Sequence, residues 1–63
     1  MDKERIKLQG FKDFMKWSDR QIGEEIGLSY KSIQLFRKGL LNLKQQNIVK
    51  LNELYKERGY DFT

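Results

Sequence analysis

Residues 18 to 39 read SDRQIGEEIGLSYKSIQLFRKG, and this stretch decides the fold because a glycine interrupts its helical spacing. Ile22 and Ile26 lie four residues apart, as on one face of a helix, and Gly27 follows directly. A glycine inside a helix costs about 1 kcal/mol relative to alanine. Glycine also adopts, without a steric penalty, the left-handed conformation in which many helices end. We therefore interpret Gly27 as the turn between two short helices.

Serine residues mark where both of these helices begin. Ser18, with Gln21 three residues later, forms a capping box in which each side chain satisfies a backbone N–H of the other residue. Ser29 is a suitable cap for the next helix. The second helix is therefore expected at about residues 18–26 and the third at about residues 29–38.

The segment before this stretch has two interpretations. Apolar residues at three- and four-residue spacing predict a first helix over about residues 5–16. Residues 5–9 also alternate polar and apolar side chains, which is typical of a short strand, with the helix then starting at Gly10.

A fourth helix is expected near the carboxyl end of the chain. Asn42 is its predicted cap, with Gln45 in the reciprocal position, and Arg58-Gly59 ends it. Its apolar face consists of Ile48, Leu51, Leu54 and Tyr55. The tail of residues 60–63 carries two aromatic side chains and is expected to fold back.

These elements predict an all-α fold, a small bundle of about four helices in a single domain of residues 1–63, with a short terminal strand as the alternative. The side chains predicted to be buried together are Ile22, Ile26, Ile33, Phe36 and Leu51, with Leu28 under the turn and the aromatic residues Phe11, Phe14 and Trp17 also in the core.

The composition excludes several classes of function. The 63 residues include no Cys and no His, which removes disulfides, thiolate or imidazole metal sites, and the commonest nucleophile and general base. We therefore expect no catalysis, no cofactor and no bound metal. The longest apolar run is two residues, so no transmembrane helix or signal peptide is expected and the protein is predicted to be cytoplasmic.

Positive charge is concentrated in the second half of the quoted stretch and the residues after it. The net charge of +4 arises because residues 26–52 contain no acid, while the rest of the chain holds eight bases and nine acids. The bases of the acid-free segment are Lys31, Arg37, Lys38, Lys44 and Lys50. Segregated charge of this kind attracts a polyanion, although it also serves to keep a small protein soluble.

At these residues the chain resembles the helix-turn-helix domains of phage repressors of the lambda repressor and Cro type. The matching features are Ile22, a small residue at 23, Ile26, Gly27-Leu28, Ile33, Phe36 and the closing Gly39. The resemblance implies a sequence-specific transcriptional regulator, a small phage or mobile-element protein that occupies operator DNA through its third helix.

Three positions depart from the family. Gly23 stands where the family favours alanine, and Tyr30 stands where a glutamine often opens the recognition helix. Asp19 replaces the glutamine that binds phosphate at the start of the second helix, and Arg20 is the expected substitute for that contact.

The third helix has an outward face opposite Ile33 and Phe36, and it is suited to the edges of bases in a major groove. The predicted base-reading residues are Tyr30, Lys31, Gln34 and Leu35. The predicted phosphate contacts are Ser18, Arg20, Arg37, Lys38, Asn42 and Lys44. Two of these residues have a second interpretation, since Leu35 also fits a lid over Leu40 or Leu41 and Tyr30 a contact over the turn.

The expected partner is double-stranded DNA, a palindromic operator bound by a homodimer, with no membrane and no small-molecule ligand. The predicted dimer seam lies around Val49, Tyr55, Tyr60 and Phe62. The alternative function is a protein-binding module, similar to an antirepressor, that keeps the fold and buries its third helix against a partner protein.

Overall fold

Four α-helices make up the computed structural model, which describes residues 2–61. They are α1 (Asp2–Met15), α2 (Asp19–Ile26), α3 (Tyr30–Arg37) and α4 (Gln45–Glu57). Because no strand occurs within the described residues, the predicted all-α class is confirmed. The two central helices begin and end within one residue of their predicted limits, since the serine caps and the turn glycine act locally.

The first helix, α1, is continuous through Gly10, so the strand alternative for residues 5–9 is wrong. Leu8 and Phe11 are fully buried on its inner face, and burying this stripe favours the helix over the locally alternating pattern. A Cβ at position 10 would overlap the hydroxyl of Tyr60. This close contact accounts for a glycine in the middle of the helix.

All four helices end at a residue in the left-handed conformation. Gly27 has φ 80° and ψ 29°, which confirms its predicted role as the turn. Leu28 donates its N–H to the carbonyl of Gly23 at 2.8 Å, and the residue after each terminator makes the corresponding bond, as in a Schellman motif. The terminators are Lys16 (φ 58°), Gly27 (80°), Gly39 (80°) and Gly59 (72°). α1 differs from the others because its terminator carries a side chain.

The start of α4 differs from the prediction. Lys44 is the N-cap residue, Gln45 is the first helical residue, and no side chain caps the helix. Asn42 has another partner, since its Oδ1 atom accepts a hydrogen bond from Nη2 of Arg5 on α1 at 3.1 Å. The predicted capping pair of Asn42 and Gln45 is therefore wrong.

One core joins the four helices, and it contains the side chains predicted to be buried together: Ile22, Ile26, Ile33, Phe36 and Leu51. Leu28 packs against this core, as does Trp17, whose ring centroid lies 5.6 Å from that of Phe11. Phe14 does not belong to it, because its side chain is 54% exposed. Three residues along a helix rotate the side chain by about 300°, which carries Phe14 to the edge of the face that Phe11 occupies.

Tyr60, which follows α4, packs back onto α1 and α4. The ring of Tyr60 lies 5.4 Å from that of Phe11, 5.3 Å from that of Phe14 and 5.5 Å from that of Tyr55. The predicted return of the tail is confirmed for Tyr60, whereas Phe62 and Thr63 lie outside the described residues.

Replacement of Ile33 by alanine tests the core. Ile33 is fully buried, so Ile33→Ala is expected to lower the free energy of unfolding by about 2–5 kcal/mol through lost burial and a cavity. Leu40→Ala is the matched control because Leu40 is 71% exposed. Urea denaturation measures the stability of both variants. Equal stability of the two would contradict the assignment of Ile33 to the buried face of α3.

Replacement of Lys16 by glycine tests the end of α1. A left-handed non-glycine residue costs roughly 1–2 kcal/mol, and replacing it by glycine removes this cost. The greater entropy of glycine in the unfolded chain cancels part of the resulting gain in stability. We expect Lys16→Gly to raise the free energy of unfolding by up to about 1 kcal/mol. Lys50→Gly, on the exposed side of α4, is expected to lower it by about the same amount. A loss of stability in Lys16→Gly would contradict the assignment.

Candidate nucleic-acid interface

The turn between α2 and α3 brings the backbones of the two helices into direct contact. Gly23 is buried, and a Cβ on it would overlap the carbonyl oxygen of Leu28. The close approach of the turn to α2 therefore favours a glycine at this position. The position of α3 is fixed by this contact at its amino end.

Serine side chains cap both helices of the pair. The Oγ atom of Ser18 accepts a hydrogen bond from the N–H of Gln21 at 3.2 Å, and that of Ser29 accepts one from the N–H of Ser32 at 3.2 Å. The reciprocal half of the predicted capping box is not present, because the Gln21 amide donates to Oε1 of Glu25 at 3.2 Å. Ser18, a predicted phosphate contact, thus uses its hydroxyl as an acceptor within the protein.

The two faces of α3 differ sharply in exposure. Ile33 and Phe36 are fully buried, while Tyr30 is 47% exposed and Lys31 is also exposed. Gln34 and Leu35, the other predicted base-reading residues, are half-buried. All four lie on the single element α3, within six consecutive residues. The outward face therefore presents one cation, one amide, one phenol and one apolar side chain.

Leu35 also takes part in the end of α3. Its carbonyl accepts the N–H of Leu40 at 2.9 Å, and such motifs commonly place these two side chains in contact. Leu40 is 71% exposed and Leu41 37% exposed. The carboxyl end of α3 is thus followed by exposed apolar surface.

Arg37, a predicted phosphate contact, forms a bidentate ion pair with Asp19. Its Nε and Nη2 atoms lie 2.8 Å from the two carboxylate oxygens. Its Nη1 atom donates to Oε1 of Gln9 on α1 at 3.0 Å. This cation therefore joins α1, α2 and α3, and all three of its nitrogens have partners within the protein.

Asp19 lies near cations of α1 and of the carboxyl end of α3. Arg37 lowers the pKa of the Asp19 carboxyl below its ordinary value through hydrogen bonding and charge, and Lys12 and Lys38 act in the same direction. The same pair raises the pKa of Arg37. An acid at a position where the family has a phosphate-binding glutamine is thus explained by its partner on α3.

A second arginine supports the same carboxyl end of α3. Nε of Arg5, on α1, donates to the carbonyl of Phe36 at 2.9 Å, and its guanidinium carbon lies 5.4 Å from the centroid of the Phe36 ring. Arg5 also holds Asn42, as described above. Sequence analysis did not identify Arg5, because the contacts span 31 and 37 residues and leave no local pattern.

Arg20 and Tyr30 lie against each other at the amino ends of α2 and α3. The guanidinium carbon of Arg20 is 4.8 Å from the centroid of the Tyr30 ring. Such a distance is typical of a cation–π contact. The contacts predicted for these two residues, one to phosphate and one to a base, thus fall on two touching side chains.

Lys38 and Lys44 complete the predicted set. Both are exposed, and neither forms an ion pair with another of residues 2–61. An open cleft of about 380 Å³ lies beside the turn, and its lining includes Lys44, Lys50 and Ser32. The N–H of Asn47 donates to the carbonyl of Lys44 at 2.9 Å. Because no side chain caps α4, the N–H groups of Gln45 and Gln46 remain available beside Lys44.

The predicted dimer seam needs one correction. Tyr55 is only 5% exposed, and its hydroxyl has no hydrogen-bond partner among the described residues, so it is a core residue that a second chain does not reach. Burial raises the pKa of its phenol. Val49 is 44% exposed, Tyr60 is half-buried, and Phe62 lies outside the described residues.

Comparison with known proteins gives no match, whether with protein-family models, with curated proteins or with solved structures. No helix within residues 2–61 has the length and apolar character needed to cross a membrane.

The Asp19–Arg37 pair predicts a specific acid sensitivity. The unfolded carboxyl takes up a proton near pH 4, whereas in the folded protein its pKa is lower. The stabilisation by the Asp19–Arg37 pair is therefore complete above about pH 4. It is lost as the pH falls through the pKa that Asp19 has in the folded protein. We expect Asp19→Asn to be less stable than the wild type at pH 7 and to lose less stability between about pH 5 and pH 2.

Glu24→Gln is the matched control for this experiment, because Glu24 is exposed on the same helix and its side chain makes no hydrogen bond or ion pair within residues 2–61. Thermal unfolding at a series of pH values measures all three proteins. Identical acid slopes for wild type and Asp19→Asn would contradict the prediction.

Proposed function

We propose that this protein is a sequence-specific DNA-binding regulator that occupies operator DNA through α3. The observation that carries the proposal is the exposed outer face of α3, with Lys31, Gln34 and Tyr30 directed away from the core beside a tight turn. A helix presented in this way fits the major groove, which is about 12 Å wide.

The direct contacts divide by chemistry. Lys31 and Gln34 lie in the first two turns of α3, where a cation suits guanine and an amide suits adenine. Lys38 and Lys44 bind phosphates, since both are exposed and without an acidic partner in the described part of the chain. Arg37 and Asn42 hold α3 and its following loop in place through Asp19 and Arg5.

A homodimer on a palindromic site is part of the proposal. One helix reads only a few base pairs, and two copies with half-sites about 10 bp apart would enter successive major grooves. Sedimentation velocity with duplexes carrying one or two half-sites measures the number of chains bound. A single chain on a non-palindromic selected site would contradict the dimer.

A protein-binding module is the second candidate, favoured by the exposed Leu40 and Leu41 beside the end of α3. The salt dependence of the binding affinity distinguishes the two functions. Phosphate contacts release counterions on binding, so DNA affinity falls as salt rises, whereas an apolar protein interface releases none. Selection of bound duplexes from a random pool, followed by titration at several salt concentrations, tests the proposal. No enriched sequence would favour the protein-binding module.

Single substitutions test the division of contacts. Lys31→Ala or Gln34→Ala is expected to cost about 1–3 kcal/mol on the selected operator and to relax preference at one or two base positions. Lys38→Ala or Lys44→Ala is expected to weaken all duplexes alike and to reduce the salt slope by about one unit. Fluorescence anisotropy with operator and scrambled duplexes measures both effects.

Lys56→Ala is the matched control, since it removes the same charge from the exposed end of α4. It is expected to change neither the base preference nor the salt slope by more than a small amount. If Lys31→Ala and Lys38→Ala weakened every duplex equally with the preference intact, α3 would not be reading bases.

A further inference from the structure

We propose that Arg20 and Tyr30 act as one stacked reading element that recognises a guanine in the major groove. The inference rests on the proposed function and deepens it, because it assigns to Arg20 a base where sequence analysis assigned a phosphate. On this proposal, residues of both α2 and α3 form the surface that recognises bases.

The geometry of the pair is the first step. Arg20 is the second residue of α2 and Tyr30 the first residue of α3, and the guanidinium carbon lies 4.8 Å from the ring centroid. Tyr30 is 47% exposed and Arg20 is also exposed, so the pair faces solvent and not the core. The stack therefore connects the amino ends of the two helices on the outside of the protein.

The guanidinium of Arg20 is not paired with a carboxylate in the described part of the chain. The nearest acid in sequence, Asp19, is held by both of its oxygens on Arg37 at 2.8 Å. Arg20 forms no ion pair with any of residues 2–61. Its guanidinium contacts the Tyr30 ring, and no hydrogen bond to another of residues 2–61 uses its side-chain N–H groups, so they remain free to donate.

The free donors match guanine. A guanidinium presents N–H groups in a rigid fork, and the major-groove edge of guanine offers two acceptors, O6 and N7, at a matching spacing. Stacking on an aromatic ring orders the arginine side chain before DNA arrives, so less conformational freedom is lost on binding. A lysine ammonium has no planar fork and gains less from the ring.

The position of Tyr30 favours a base over the backbone. In helix-turn-helix recognition, the amino-terminal residues of the second helix of the pair contact base edges. Tyr30 opens α3, and it holds the guanidinium of Arg20 over this end. An arginine at the start of α2 without such a ring would instead extend toward phosphate.

The experiment uses the full chain and its selected operator, with each guanine replaced in turn by 7-deazaguanine, which lacks the N7 acceptor. We expect wild type to lose about tenfold in affinity at one guanine position of each half-site, distinct from any guanine at which Lys31→Ala relaxes the preference. Arg20→Lys and Tyr30→Ala are expected to lose affinity for the unmodified operator and to be insensitive to replacement at that position. The double variant is expected to be no weaker than either single variant.

Two further proteins make the test specific. Tyr30→Phe keeps the aromatic ring and is expected to restore the sensitivity that Tyr30→Ala loses. Lys56→Ala, remote on α4, controls for the loss of one charge. Circular dichroism checks that each variant folds, which is expected because both side chains of the pair are exposed.

Three outcomes would overturn the inference. If Arg20→Lys weakened all duplexes alike and remained sensitive to 7-deazaguanine, Arg20 would be a phosphate contact. If Tyr30→Ala kept the guanine sensitivity, the stack would have no role in recognition. If wild type bound no duplex at all, the proposed function itself would fail, which is distinct from the first two results.

Discussion

Burial of Ile33 and Phe36 on one side of α3 is the constraint on which the rest of the structure depends. Both side chains are fully buried, and α3 has only eight residues, so these two positions fix its rotation about its own axis. A chain of this size buries only about 60% of its unfolded surface, which leaves few other apolar contacts to hold α3. The outward residues Tyr30, Lys31 and Gln34 take their directions from this anchoring.

Polar contacts from other helices supplement this anchoring at the end of α3. Arg5 binds the carbonyl of Phe36 from α1, and Asp19 binds the guanidinium of Arg37 from α2. Two of the chain's arginines are thus used for structure. The pair between Asp19 and Arg37 is partly shielded from water, with side chains 15% and 21% exposed, so solvent screens it less than a surface pair.

Local signals explain which parts of the fold could be predicted from the sequence. Ser18, Ser29 and Gly27 act within three or four residues of their own positions, so a pattern in the chain identifies them. The end of α1 at Lys16 has no such signal, because lysine rarely adopts the left-handed conformation. Phe14 lies at a helical spacing of three residues from Phe11, which predicts it in the core, and only the direction of the helix face separates the two side chains.

The long-range polar contacts could not be predicted for a different reason. Asn42 is a good cap by its residue type, and it fails as one because Arg5 lies 37 positions away in sequence and reaches its amide. Arg37 belongs to the acid-free segment by composition, yet the acid that pairs with it, Asp19, lies seven residues before that segment. Charge counted along a sequence therefore overstates the charge that a folded surface offers.

The smaller charge of the folded surface affects how the proposed regulator would bind its operator. With Arg37 paired to Asp19, Lys38 and Lys44 are the exposed cations assigned to phosphate, two for each chain. Each phosphate contact contributes about −0.9 to the dependence of log affinity on log salt, which gives a slope of about −2 for one chain and about −4 for two. So few electrostatic contacts give one chain little affinity at cellular salt. Base contacts from α3, repeated in a second copy of the chain, would have to supply most of the remaining affinity, and the protein would then discriminate strongly between its operator and other DNA.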